Sequence, residues 1–386
     1  MLPIKKLICI LLCALLFMGM PVCASATQNG NAQISLLTPS LSAKSAVLLD
    51  ASTNSIICQK DAHTKRAMAS TTKIMTALVA AELCELDRVV SVNAGAVGVE
   101  GSSVYLYAGE RLTMYELLCA MLLESANDAA AAIAFEVGGS IEGFCALMNE
   151  KAKELDLKST NFTNPHGLYD EEHYTTAYEL ALIASAAIKN ENIRRIVSTK
   201  KMTIGSEGGT QRVLYNHNKM LSMYDGAIGV KTGFTKKSGR CLVSAAKRDG
   251  LTLIAVTIDA PDDWNDHTKL LDLGFENLCS LTLCQKGKAS ASLNVIGGMQ
   301  DSIPLAYAET VSVTVPKDRA ADVKCTVESR TRYLFAPIPY EQVVGKAVFY
   351  LDGEIVASTE LVASVALERR DKGLGFFEWL KNLFTK

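Results

Sequence analysis

Seven residues of this chain have the types and spacing that could do chemistry. They fall into three short words: Ser70-Thr71-Thr72-Lys73, then Ser125-Ala126-Asn127, then Lys231-Thr232-Gly233. Each pattern alone, S-x-x-K, S-x-N or K-T-G, arises by chance; the three in this order describe an active site built on a serine nucleophile. A serine hydroxyl is unreactive at neutral pH unless a neighbour takes its proton. A lysine can be that base only when desolvation or a nearby cation keeps part of it neutral. With Ser70 opening a helix, Lys73 lies one turn along on the same face and meets the hydroxyl, and Lys231 supplies the cation. The helix start at Ser70 also presents backbone N–H groups, one of which can hold an oxyanion. Ser125 can relay a proton between Lys73 and a leaving amine, and Asn127 can hold a substrate amide. On a strand, alternation directs Lys231 and Gly233 to one face. Gly233 then lets an extended peptide pair along the strand edge, while Lys231 and Thr232 receive a carboxylate.

Positioning these groups needs elements from distant parts of the chain. Residues 44–50 read as a strand, 51–54 as a turn and 55–58 as its partner, so a hairpin opens the first domain. From residue 70 to about residue 86, Ile74, Leu78 and Leu83 recur at helical spacing. Helices are predicted over 114–123, 128–137, 141–155 and 177–189, the last with a capping box of Thr176 and Glu179. Strands are predicted over 229–233, 239–247 and 251–259, with Arg248-Asp249-Gly250 as a hairpin turn, and a helix over 264–278 closes the unit. Strands at both ends with helices between them imply one sheet assembled from the two ends of the domain.

The composition changes near Gln285-Lys286-Gly287. Residues 289–365 break into short β-rich runs, such as 310–315 and 347–351, with a turn at Asp352-Gly353. This reads as a small all-β domain without a catalytic constellation, a spacer or binding module. In the tail, Phe376, Phe377, Leu380, Leu383 and Phe384 share one helical face with Trp379 at its margin. Lys381 and Lys386 stand outside that face, which suits a helix lying in the headgroup layer of a membrane.

Of the 386 residues, 49% are hydrophobic and 21% charged, enough to bury a large core in two domains. The net charge of −2, with no basic stripe, argues against nucleic acid as a partner. Lys5 and Lys6, the apolar run 7–20 and the small residues Ala24-Ser25-Ala26 form a secretory signal peptide cut after Ala26. Eight cysteines follow it. Most are expected to be free thiols in apolar surroundings, and only Cys279 and Cys284 are close enough in sequence for a local bridge. His166 and His173 lack a compact ligand set and are read as fixing loops by hydrogen bonds, so no metal and no cofactor is assigned. The expected organisation is a signal peptide over 1–26, a lead-in over 27–43, a catalytic domain over 44–284, a β domain over 289–368 and an amphipathic anchoring helix over 373–386.

With the three words in place, the chain resembles the penicillin-recognising serine D-Ala-D-Ala carboxypeptidases, the low-molecular-mass penicillin-binding proteins of peptidoglycan metabolism. The likeness runs over the whole mature chain and includes residues 160–168 (TNFTNPHGL) and 173–177 (HYTTA). It implies an α/β (α+β) catalytic domain with an antiparallel sheet flanked by helices, followed by the small β domain. It implies Ser70 as acylated nucleophile, Lys73 as general base, Ser125 as proton relay, Asn127 as substrate contact and Lys231 as carboxylate partner, with Thr232 and Gly233 beside it. The backbone N–H groups of Ser70 and Phe234 would form the oxyanion hole; Phe234 stands where some relatives have histidine. The implied partners are stem peptides ending in D-Ala-D-Ala, β-lactams as covalent inhibitors, and the membrane surface. A β-lactamase or transpeptidase of the same superfamily, and a non-catalytic wall-binding or penicillin-sensing module, are the alternatives. The presence of every proton-transfer residue argues against the last.

Overall fold

The computed structural model describes residues 34–205, 209–329 and 331–370. The expected signal peptide and C-terminal helix lie outside the described residues.

The chain runs through β1 (Ser45–Asp50) and β2 (Ile56–Lys60) to a 3-10 turn (Ala69–Thr72) that passes directly into α1 (Lys73–Leu83). Next come β3 (Val89–Ser91), β4 (Arg111–Thr113), α2 (Met114–Leu123), α3 (Asn127–Gly138), α4 (Ile141–Glu154), α5 (Ala177–Lys189) and α6 (Glu191–Ser198). A hairpin of β5 (Lys201–Gly205) and β6 (Gln211–Tyr215) and the short α7 (Met220–Met223) lead to β7 (Ala227–Thr235), β8 (Gly239–Arg248), β9 (Leu251–Ile258) and α8 (Asp263–Asn277).

The two ends of this run do meet in one antiparallel sheet, of order β2-β1-β9-β8-β7. Its central strands are apolar on both faces because both are covered. Val47, Leu49, Val243, Ile254 and Val256 pack against α1 to α6. Leu48, Leu242, Leu253 and Ala255 pack against α8 and α7, with Leu270, Leu271 and Met220. β7 is an edge strand, so its outer side has no partner strand.

Local chemistry sets the helix starts. Thr113 and Glu116 cap α2 reciprocally. At α5, Thr176 accepts from the Glu179 N–H at 3.1 Å, but the box expected there is only half formed. The Glu179 carboxylate instead accepts from the N–H groups of Lys158 at 2.9 Å and Ser159 at 2.8 Å, tying down the loop before the helix. The helix expected from residue 70 begins as α-helix at Lys73, with Ser70 on the tighter turn that precedes it.

The remaining strands are β10 (Leu278–Cys284), β11 (Ala289–Ile296), β12 (Ser302–Tyr307), β13 (Val311–Pro316), β14 (Lys324–Ser329), β15 (Tyr333–Phe335), β16 (Val343–Leu351) and β17 (Glu354–Ala363). Six of them form a sheet of order β14-β16-β17-β12-β11-β15, and β10 pairs with β13, over a core that includes Leu305, Val315, Phe349 and Leu361. The composition break at Gln285 left β10 with the first domain, yet β10 hydrogen-bonds along a strand that follows the break. Cys279 and Cys284, close enough in sequence for a local bridge, do not form one. Five residues apart on one strand, they are separated by roughly 16 Å, far beyond the span of a disulfide. All eight described cysteines are free thiols, and burial pushes those of Cys58, Cys145 and Cys241 up to about 11.

Candidate active site

Ser70, Ser125, Thr232, Gly233 and Phe234 line one cavity of about 590 Å³ beside the free edge of β7. The 3-10 turn brings Ser70 Oγ 3.0 Å from Lys73 Nζ. Lys73 is wholly buried, and its Nζ also meets Asn127 Oδ1 at 2.7 Å and the carbonyl oxygen of His166 at 2.6 Å. Its pKa is held well below the usual lysine range, first by burial and then by the charge of Lys231, with Asp128 opposing. A neutral amine has two N–H groups and one lone pair. The two carbonyl acceptors fit the former, which turns the lone pair toward the Ser70 hydroxyl.

The loop carrying His166 is built for this. Asn164 Oδ1 accepts from the Gly167 N–H at 2.7 Å, its Nδ2 donates to the Leu168 carbonyl at 3.0 Å, and Thr76 Oγ1 donates to the Pro165 carbonyl at 2.6 Å. His173 fixes the nucleophile's turn from the other side. Its Nδ1 accepts from the Thr163 N–H at 3.1 Å, so Nε2 carries the proton and donates to Thr72 Oγ1 at 2.8 Å. Thr72 in turn donates to the Ala69 carbonyl at 2.8 Å. Burial pushes His173 down to about 4 and His166 down to about 3, so both are neutral rings. Among the described residues no cluster of His, Cys, Asp and Glu could hold a metal ion.

Backbone strain is concentrated beside the two serines. Ala69, before the nucleophile, has φ of 47° and Ser125 has φ of 62°, both in the region that costs a non-glycine residue energy. Ser125 is buried between α2 and α3, and its hydroxyl has no hydrogen-bond partner among the described residues. It shares the cavity with Ser70 but is not hydrogen-bonded to Lys73. Asn127 opens α3 with its amide occupied at both ends, by Lys73 through Oδ1 and by the Glu100 carbonyl through Nδ2. The substrate contact expected of it is, in this state, a contact to the base.

Gly233 permits a close approach different from the one its position suggested. A Cβ there would lie 3.0 Å from Ser70 N and 3.1 Å from Thr71 N, so its bareness lets β7 lie against the nucleophile's turn. Lys231 also differs from expectation. It is 1% exposed, is not among the residues lining the cavity, and donates to the Thr232 carbonyl at 3.0 Å. Burial pushes it down to about 7, with Glu124 opposing.

Sequence reasoning passed over the far wall of the cavity, formed in part by Arg240, Asp263, Trp264, His217 and Lys219. The signal for Arg240 was present in the hairpin arithmetic, since a short turn at 236–238 sets it opposite Phe234.

A buried lysine against a serine that follows a strained residue, at the free edge of an antiparallel sheet between two helical layers, defines a class: serine acyl-transferring enzymes that engage an extended peptide. Residues 32–262 match the family model described as D-alanyl-D-alanine carboxypeptidase, peptidase S11, and residues 280–369 match that of the penicillin-binding protein 5 C-terminal domain. The chain belongs to the S11 family: it is a serine D-alanyl-D-alanine carboxypeptidase of the low-molecular-mass penicillin-binding type. It is 33% identical to the D-alanyl-D-alanine carboxypeptidase DacF of Bacillus subtilis, over 98% of this chain and 97% of that one. It is 30% identical to DacC of Escherichia coli, over 94% and 91% of the two chains. Among solved structures, penicillin-binding protein 5 of Haemophilus influenzae is similar with a TM-score of 0.71 and 28% identity, covering 86% of this chain and all of that one.

Proposed function

We propose that Ser70 is the residue acylated when this enzyme removes the terminal D-alanine from peptidoglycan stem peptides. The peptide lies extended along β7. Neutral Lys73 takes the Ser70 proton as Oγ attacks the carbonyl of the penultimate D-alanine, and the oxyanion is received by the backbone N–H groups of Ser70 and Phe234. The proton passes through Ser125 to the nitrogen of the departing D-alanine, whose C–N bond breaks to leave an ester on Ser70. Water, deprotonated by Lys73, then attacks the ester and releases the shortened peptide. A β-lactam acylates the same hydroxyl by opening its ring. Asn127 and the His166 carbonyl orient the base, Thr232 and Gly233 bound the peptide's path, and buried Lys231 depresses Lys73 rather than meeting substrate.

The observation that carries this reading is the set of three contacts around Lys73 Nζ, at 2.6, 2.7 and 3.0 Å, which leaves its lone pair for Ser70. The reading also places the enzyme outside the cytoplasm, exported by residues 1–26 and held at the outer face of the membrane by residues 373–386, with the β domain as spacer. The test is release of free D-alanine from a peptide ending in D-Ala-D-Ala by the mature protein beside Ser70→Ala. The variant should lose both release and covalent penicillin labelling; persistence of either would show a different nucleophile.

A further inference from the structure

The β domain leaves one apolar surface uncovered. Its edge strand β15 runs parallel to β11, with Tyr333 opposite Asn294, Leu334 opposite Val295 and Phe335 opposite Ile296. Leu334 and Val295 are buried in the core of the domain, so alternation turns Tyr333, Phe335 and Ile296 to the other face. There they stand in solvent, Phe335 at 67%, Ile296 at 48% and Tyr333 at 47% exposure, with the Tyr333 and Phe335 rings edge to face at 5.9 Å. Met299, three residues after Ile296 in the loop that leaves β11, is 60% exposed. A single exposed apolar side chain is ordinary, but four together, two of them aromatic, mark an interaction site.

The course of the chain points to what covers it. The Met299 N–H donates to the Glu368 carbonyl at 3.0 Å, and the Arg370 N–H to the Gly297 carbonyl at 2.9 Å. Gly297 is the neighbour of Ile296, so residues 371–386, with Phe376, Phe377, Trp379, Leu380, Leu383 and Phe384, start at the margin of the patch. The rim is basic. Arg332 and Arg369 are exposed without ion-pair partners among the described residues, and Arg370 faces Asp301 at 3.1 Å, with Glu368 as the other carboxylate beside them. Size argues against a protein partner. At about 150–250 Å² for a whole aromatic side chain, four side chains near half exposure offer on the order of 400 Å², half of the roughly 800 Å² that each partner buries in a specific protein interface. A bilayer asks for no matched shape: its headgroup layer takes in apolar and aromatic groups, and its anionic lipids attract arginine.

We propose that Ile296, Met299, Tyr333 and Phe335 form a second contact with an anionic lipid surface, so that the β domain lies against the membrane at this edge rather than hanging from the tail alone. The proposal rests on the reading that residues 373–386 hold the enzyme at the membrane. One short anchor gives reversible binding, and a second apolar contact tethered beside it acts at high effective concentration. Two contacts also fix an orientation, where one leaves the enzyme free to turn.

The test measures partition of the mature chain onto vesicles of mixed phosphatidylcholine and phosphatidylglycerol. Ile296→Ser combined with Phe335→Ser should bind roughly tenfold or more weakly than the parent, whereas Val327→Ser, exposed on β14 at the opposite edge of the same sheet, should change nothing. In a Trp379→Phe background, Phe335→Trp should gain fluorescence that acyl-brominated lipid quenches, and Val327→Trp should not. Penicillin labelling and melting midpoints of the variants should match the parent's. Unchanged partition of the double variant, or no quenching of Phe335→Trp, overturns the second contact and leaves the tail anchor standing. Tighter binding by the double variant would show that the tail itself covers the patch, and a parent dimer that the double variant dissociates would show that a second copy does; either overturns the lipid assignment. A chain truncated after Arg370 should lose most of its partition. If it keeps all of it, the anchor reading fails and the proposal of a second contact with it.

Discussion

Gly167 packs so tightly on Ala69 that a Cβ at position 167 would sit 1.9 Å from the Ala69 carbonyl oxygen. With φ of 88°, Gly167 also holds a backbone conformation that other residues reach only under strain. The loop that offers the His166 carbonyl to Lys73 and the strained turn that offers Ser70 are therefore pressed together at one point.

Gly167→Ala should move that turn. Strain of about 1–3 kcal/mol is expected from the backbone alone, before the clash is relieved. Thermal unfolding should show a lower midpoint, and the rate of covalent labelling by a fluorescent penicillin should fall by roughly tenfold or more, since a shift of about 1 Å at a reacting group can cost 100-fold. Unaltered labelling would mean that the two loops do not share their geometry.

Lys231→Gln should shift the pH dependence of acylation. Only neutral Lys73 can take the Ser70 proton, so the rate rises with pH through the Lys73 pKa, which burial and the Lys231 charge hold low. Removing that charge raises the Lys73 pKa, and the acidic limb of kcat/KM moves to higher pH. A limb that stays in place would detach the two lysines electrostatically.

Acid should weaken the fold at the histidines. Burial pushes His267 down to about 3, like His166, and His173 down to about 4. In the unfolded chain each would titrate near 6.5. Between those values the unfolded state binds more protons, so the stability they contribute is complete above about pH 6.5 and is lost as pH falls through about 4 for His173 and about 3 for His166 and His267. Melting midpoints should decline over that interval, and less steeply for His267→Gln, whose parent ring bonds Ser244 and Thr257. Equal slopes for variant and parent would show that His267 does not carry the effect.

Truncation after Arg370 removes the tail read as a membrane-surface helix. The shortened protein should stay in the supernatant when lipid vesicles are sedimented, with its D-alanine release intact. Co-sedimentation equal to that of the full chain would place the membrane contact elsewhere.

The elements most legible in the sequence were those whose signals are local. The helix over 114–123, the helix over 177–189 and the two long strands joined at Asp249-Gly250 announce themselves by periodicity, caps and a turn whose residues both take positive φ. The sheet formed from both ends of the first domain followed from the order of strands and helices. What stayed hidden was set by contacts distant in sequence. Asn127 is 54 residues from Lys73, and the His166 carbonyl, a backbone atom with no signature of its own, is 93 residues away. Lys231 was expected to face a substrate carboxylate, and nothing in its neighbours foretold its burial against the Thr232 carbonyl. Glu179 followed a capping pattern that other N–H groups partly outbid.

β1 contains none of the reacting groups, yet it hydrogen-bonds β2 on one side and β9 on the other, joining Ser45 to Ile258. Until β9 has been made and delivered, β8 and β7 have no strand to build on, and the K-T-G segment cannot be brought against Ser70. Contacts of such long sequence separation form late compared with helices. A chain lacking β9 is expected to carry all three words and yet leave a labelled penicillin uncaptured, because the strand that joins β1 to β8 and β7 is missing.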